Sequence, residues 1–355
     1  RREPGYILVS LGKGVRAISD YSEFEALVAL DRYGQVIWFW ESVPSLMDVK
    51  LTSRNTLLVL TTDGCIQEIN FKGETLRKWY TSGREPKNIE KAILVDTRYF
   101  HHAVCELPNG HLSSLSVSTR TFDDYQMSQE NPEGEKGCRT LVGDTLVEFS
   151  ADGSIIKEID FFDLLDPYRF GYGLDGPFWS RVGVVPGGAD WSHANGICYD
   201  QSDDSFIITV RHQDCVIKVD RGTGSLKWIM GTPDGWSGQW RDKLLTPIGD
   251  IDWHWHPHDP TITADGNLLI FDNGESGAVP PNLRPHINVC NSRVLAYRVN
   301  EAEGTVKQIW SFGGAEHDLP YSMYVSGAIE LPTTRNVFIT CGGITLTKKT
   351  KERTN

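Results

Sequence analysis

The sequence predicts an all-β fold: a six-bladed β-propeller of four-stranded antiparallel blades, the last of them short. Three observations lead there. Strand-length runs of alternating or β-branched residues recur from end to end. Asp-Gly and Asn-Gly dipeptides separate many of them, and such pairs favour tight hairpins. Tryptophan marks the closing strand of several units, among 11 Trp and 34 Gly in 355 residues.

The units follow one another in order. Residues 26–31, Gly34 and 36–40 form the first; 56–60, Asp63-Gly64, 66–71, Gly73 and 76–79 form the second. The third takes Asn109-Gly110, 145–149, Asp152-Gly153 and 155–159, and the fourth takes 206–210, 216–220, Gly224 and 226–229. The fifth is Asp265-Gly266, 268–271, 294–299, Gly304 and 306–310, and a sixth opens at 326–329 and continues at 337–340. Spacings of roughly 40 to 65 residues suit four-stranded blades with loop insertions. One blade cannot bury both of its faces, so the blades must stack around an axis. Helical periodicity is absent apart from one turn at 161–165. No linker divides the chain, which is read as one domain over 1–345, with residues 346–355 a polar, basic, disordered tail.

A net charge of −12 argues against a nucleic-acid partner, because phosphate binding needs a basic face. An anionic substrate would therefore need a local cationic pocket. No apolar run has the length of a membrane-spanning helix, so no membrane partner is expected, and homo-oligomerisation stays open. Seven cysteines carry no CxxC spacing, which excludes zinc-ribbon and thioredoxin-like readings. They are read mostly as buried small apolar residues, with room for one or two disulfides.

Histidines share a phase of the repeat. His102 and His258 each lie eight residues before a hairpin glycine (Gly110 and Gly266), and His193 precedes its own hairpin more loosely. Equal phase means equal place on equal blades, at the start of the innermost strand, where a propeller lines the mouth of its channel. Arg211 follows His193 by one hairpin. His111, His212, His286 and His317 lack the phase and are read as surface or structural. His254, His256 and His258 alternate, as metal ligands on one strand face do. Pro257 interrupts that strand and no carboxylate keeps the phase, so neither metal nor other cofactor is expected.

From Asp190-Trp191-Ser192-His193-Ala194-Asn195-Gly196 onward the chain resembles bacterial arylsulfate sulfotransferases. Val210-Arg211-His212-Gln213, Leu226-Lys227-Trp228, His258-Asp259-Pro260, Asp265-Gly266-Asn267 and Phe271-Asp272-Asn273-Gly274 carry the likeness further. The resemblance implies a six-bladed propeller, commonly periplasmic or secreted, that moves a sulfuryl group from an aryl sulfate donor to a phenolic acceptor without a nucleotide donor. It implies a ping-pong reaction through a sulfohistidine, with His258 as nucleophile and His193, Asn195 and Arg211 holding the sulfate oxygens. His102 is the best match for a further active-site histidine, with His101 the alternative. Trp191, Trp253 and Trp255 are candidates to pack the aryl ring. Some members carry a cysteine pair just before the nucleophile segment and a separate N-terminal β domain; counterparts of these are not expected here. Two other readings compete: a metal-dependent propeller hydrolase, using carboxylates such as Asp259 and Asp272, and a propeller that binds a ligand through loops such as Pro280-Pro281-Asn282.

Overall fold

The structure, a computed structural model, describes residues 3–12, 25–42, 44–85, 92–131, 133–274, 291–314 and 319–344. They group into two compact units, one of residues 1–121, 140–164 and 176–189, the other of residues 122–139, 165–175 and 190–355.

In the first unit, β1 (Ile7–Gly12), β2 (Glu25–Leu30) and β3 (Val36–Glu41) form a three-stranded antiparallel meander. A five-stranded sheet follows: β4 (Leu46–Leu51), β5 (Leu57–Thr61), β6 (Cys65–Ile69), β7 (Thr75–Thr81) and β8 (Ala92–Val95), the last parallel to β7. The third meander comprises β9 (His101–Glu106), β10 (Leu112–Gln126), β11 (Lys136–Phe149) and β12 (Ile155–Asp160), and β13 (Ala189–Asp190) adds to β11; residues 122–126, 136–139 and Asp190 of these strands count with the second unit. The expected helical turn is α1 (Phe161–Leu164).

In the second unit, β14 (Ala194–Asp200), β15 (Ser205–Val210), β16 (Cys215–Asp220) and β17 (Leu226–Gly231) make a four-stranded meander. Next come β18 (Thr246–Pro247), β19 (Pro257–Ile262), β20 (Leu268–Asp272), β21 (Arg293–Asn300) and β22 (Thr305–Gly313), ordered β18-β22-β21-β20-β19. A hairpin of β23 (Gly327–Glu330) and β24 (Val337–Thr340) ends the described chain.

This is an all-β propeller arrangement, and the expectation of six four-stranded blades is corrected to five blades of three to five strands. Turn dipeptides count hairpins, not strands. The sixth unit has one hairpin, and among the described residues it gains no third strand. Elsewhere β8 and β18 extend their sheets in parallel, without a hairpin turn to announce them.

The turn reading itself holds. Gly64, Gly110, Gly153 and Gly266 all have φ between 75° and 89°, and each N–H bonds the carbonyl three residues back at 2.9 Å. Side chains with a Cβ rarely adopt that conformation. Apolar faces then bury between sheets. Leu58, Leu60, Ile66, Trp79, Phe100 and Phe149 pack in the first unit, where the Trp79 indole N–H donates to the Ala151 carbonyl at 3.0 Å. Trp228, Met230, Ile270, Leu295 and Tyr297 do the same in the second. Truncating a buried ring such as Trp79 to alanine costs about 3–5 kcal/mol, so the closing tryptophans tie neighbouring strands by burial. The six described cysteines are free thiols. The basic tail, Cys290, His286, His317 and the 280–282 loop lie outside the described residues.

Candidate active site

Strands β14 and β19 of the second unit pack together, and their closeness is written in one glycine. A Cβ on Gly196 would lie 2.5 Å from Pro260 Cδ, 2.7 Å from Thr209 Oγ1 and 3.0 Å from the Asp259 amide nitrogen. Beside it, Asn195 spans the two strands: Thr209 Oγ1 donates to its Oδ1 at 2.6 Å, and its Nδ2 donates to the Pro257 carbonyl at 2.9 Å. The residue immediately before His258 is thereby fixed to the blade that carries His193.

His258 is 5% exposed. Its Nδ1 donates to Asn273 Oδ1 at 2.5 Å, while Asn273 Nδ2 donates to the carbonyls of Ser322 (2.7 Å) and Val325 (3.0 Å). With both amide hydrogens used on carbonyls, the orientation of Asn273 is set, and so is the tautomer of His258. Its Nε2 is the lone-pair nitrogen and accepts the Val325 N–H at 3.2 Å. Val325 adopts φ of +54°, a strained conformation for a β-branched residue. Burial, and then the Arg211 cation, push the His258 imidazole down to about 3 from its ordinary 6.5, so it is neutral at physiological pH.

Arg211 opens a 3-10 turn, Arg211–Gln213. Backbone bonds from Arg211 N to His193 O (3.2 Å) and from His212 N to Ser192 O (3.0 Å) dock this turn against the start of β14. His212 Nδ1 donates to the Asp190 carbonyl at 2.7 Å, which leaves Nε2 to accept from Arg211 Nη1 at 2.5 Å. Burial holds His212 well below the usual histidine range, which keeps it a neutral acceptor able to aim the guanidinium. A Cβ on Gly173 would sit 2.5 Å from His212 Nε2, so this side of the imidazole is roofed by backbone.

His193, 8% exposed, stacks on His212 with ring centroids 4.6 Å apart. Its Nδ1 meets Asp190 Oδ2 at 2.6 Å. A carboxylate there orients the ring and stabilises a proton on it. His193, Asn195, Arg211 and His258 therefore lie in one unit.

His101 and His102 belong to the first unit. His101 is fully buried and His102 half-buried, with their Nδ1 atoms 2.8 Å apart. Trp191 is a core residue, fully buried with its indole N–H on the Arg169 carbonyl at 3.3 Å. Trp253 is partly buried and stacks on Tyr297 at 6.5 Å. The alternating triplet does not converge: His254 Nδ1 meets the Tyr297 hydroxyl at 3.3 Å, His256 Nε2 the Tyr172 carbonyl at 2.9 Å, and His258 the Val325 amide.

Three further positions support the candidate site. Of the surface or structural alternatives for His212, the structural one holds: it is the buried partner of Arg211. Asp190, three residues before His193, and Asn273, fifteen after His258, had been seen only as parts of motifs. The i,i+3 spacing could have flagged Asp190. Asn273 needed the pairing of β19 with β20, which sets Pro257 opposite Asp272. Asp190, His193 and His212 bring ligand atoms within 4.8 Å of one another. Both nitrogens of His212 are, however, engaged in hydrogen bonds, so the cluster reads as a network supporting Arg211.

Comparison with known proteins gives the family. The family model for arylsulfotransferase (ASST) matches residues 9–355. The arylsulfate sulfotransferase AssT of Escherichia coli O6:H1 is 29% identical over 332 residues, covering 79% of this chain and 54% of its own. That of Lelliottia amnigena is 27% identical over 289 residues, covering 68% and 47%. The chain thus spans about half the length of these curated relatives. A solved virginiamycin B lyase from Staphylococcus aureus aligns over 95% of this chain and 97% of its own, at 10% identity and a TM-score of 0.41, too loosely to bear on function. On the family match, the chain belongs to the arylsulfotransferase family.

Proposed function

We propose that this protein transfers a sulfuryl group from an aryl sulfate to a phenol by a ping-pong reaction through a sulfohistidine at His258. The observation that carries the reading is the neutral, buried His258, whose Nε2 holds a lone pair within the influence of Arg211. In the first half-reaction Nε2 attacks sulfur, the bond from sulfur to the aryl oxygen breaks, and His193 protonates the departing oxygen. In the second, the oxygen of an acceptor phenol attacks the same sulfur and the N–S bond breaks. His193 takes the phenol proton.

Charge spread over three sulfuryl oxygens suits the planar fork of Arg211, which His212 aims. An imidazole held at about 3 is a weak base and so a good leaving group from sulfur. By kinship we also propose a periplasmic or secreted setting.

The test is direct. Given an aryl sulfate and a phenol, with chelator present and no nucleotide donor, the protein should sulfate the phenol. His258→Ala should abolish transfer together with the acid-labile adduct formed from donor alone. Hydrolysis that vanishes with chelator, or an active His258→Ala protein, would overturn the reading.

A further inference from the structure

In the second unit, a buried cation stands behind the turn that carries Arg211. Arg169 is 6% exposed, and the hydrogen bonds of its guanidinium end on neutral oxygens. Nη1 donates to the Gln213 carbonyl at 2.6 Å and to Gln213 Oε1 at 3.2 Å, while Nε donates to the Asp234 carbonyl at 3.2 Å. The guanidinium carbon lies 4.3 Å from the centre of the Trp236 ring. Gln213 is fully buried and donates its amide hydrogen to the Trp191 carbonyl at 2.8 Å. The Trp191 indole N–H returns to the Arg169 carbonyl at 3.3 Å. Arg169, Gln213 and Trp191 thus close a ring of hydrogen bonds around the end of the Arg211–Gln213 turn.

The backbone that follows Arg169 lies against the same turn. A Cβ on Gly171 would sit 1.9 Å from the His212 carbonyl oxygen, and one on Gly173 would sit 2.5 Å from His212 Nε2. Between them, the Tyr172 carbonyl accepts the His256 Nε2 hydrogen at 2.9 Å. Residues 169–173 therefore bear on Gln213, on His212, which meets the Arg211 guanidinium, and on His256, whose carbonyl faces His258 Nδ1 at 3.3 Å. Burying a cation with no carboxylate bonded to it is costly. What the guanidinium supplies, and an apolar side chain would not, is direction: a planar fork with donors at fixed angles. Its Nη1 holds both oxygens of the residue two places after Arg211.

We propose that Arg169 is a positioning residue for sulfuryl transfer: its buried guanidinium fixes the Arg211–Gln213 turn and so the direction in which Arg211 presents its own. The catalytic part of this rests on the reading that Arg211 holds the sulfuryl oxygens. The geometric part does not: without Arg169 the turn relaxes and the hydrogen bond from Arg211 to His212 Nε2 is lost.

The geometric part is tested without catalysis. In protein labelled with ¹⁵N at histidine and assigned with His212→Gln, the wild type should show His212 with hydrogen on Nδ1 and a hydrogen-bonded Nε2. In Arg169→Met, which keeps an unbranched chain and removes the fork, the Nε2 signal should move toward that of an unbonded acceptor nitrogen. An unmoved signal overturns the proposal whether or not the protein transfers sulfate. Where Arg169→Met does not fold, Arg169→Lys carries the same measurements, since it keeps the charge and lacks the fork. The catalytic part is tested by a double-mutant cycle at saturating donor and phenol. Arg169→Met should lower turnover about a hundredfold, the scale of a small misplacement. The same change made in Arg211→Ala should cost less than about twofold, because Arg169 acts through Arg211. Equal losses in both backgrounds would mark a merely structural role and overturn the proposal. Absence of any transfer by the wild-type protein would count against the function and leave the His212 signal to decide the positioning.

Discussion

His258 and His193 occupy one unit and present the same imidazole chemistry, yet they are supported in opposite ways. His258 gives its Nδ1 hydrogen to a neutral amide, Asn273, whereas His193 faces the carboxylate of Asp190. An amide orients a ring without favouring the cation; a carboxylate does both. Burial then keeps His258 neutral. On the proposed function, the difference teaches how a fold would make a nucleophile and an acid–base group from one residue type: through the charge of the atom behind Nδ1.

The largest break in that comparison is loss of the Arg211 cation, whose charge acts on His258 and whose guanidinium meets His212. Arg211→Ala should lower transfer by about 10²–10³-fold, and Arg211→Lys should recover little of it, because a point charge lacks the planar fork. Single-turnover adduct formation would read this out, and near-normal rates in Arg211→Ala would separate Arg211 from the sulfuryl group.

Exchanging the supports should come next. Asp190→Asn makes the His193 site resemble that of His258 and should slow transfer by about 10²-fold, least for donors with acidic phenol leaving groups that depart without help. The reverse exchange, Asn273→Asp, sets a carboxylate at His258. A residue held at about 3 adds no acid limb near neutrality, but a carboxylate at Nδ1 should raise it by roughly one to three units. The pH–rate profile should then fall earlier as pH drops. An unchanged profile would show that Asn273 does not control the ring.

The smallest effect concerns stability. His254 and His258 are both pushed to about 3 by burial, against an ordinary 6.5. Their folded values are depressed, so their contribution is complete above pH 6.5 and is lost as pH falls toward 3. By pH 5 each costs about 2 kcal/mol. Urea unfolding of His254→Gln should therefore show a stability difference between pH 7 and pH 5 smaller than wild type by about that amount. The same difference in both proteins would mean that His254 is not buried in its neutral form.

Much of the fold was legible because hairpins are local. Asp63-Gly64 or Asp265-Gly266 needs no distant residue to turn. Blade and strand numbers were not legible, since the last unit has a single hairpin and β8 and β18 join their sheets in parallel, with no hairpin turn to mark them. Phase counting set His102 and His258 at equal places, but the two ladders differ there. Five residues past their hairpin glycines, Phe271 pairs with His258 but Leu115 pairs with His101, because the register of β9 slips further before its end. His101 thus holds the ladder place that His258 holds in its own sheet. Arg211 and His193 were found by motif, but the role of His212 depends on a carbonyl 22 residues away, which no spacing encodes.

The contact at Gly196 has a practical consequence for reshaping this protein toward bulkier phenols. No side chain fits there, and Asn195 clasps the same two strands. Library design should treat β14 and β19 as one fused part and spend its diversity on the surrounding loops. A single added methyl group at position 196 would push on Pro260, Thr209 and the Asp259 backbone, and so shift His258 and Asn195 together.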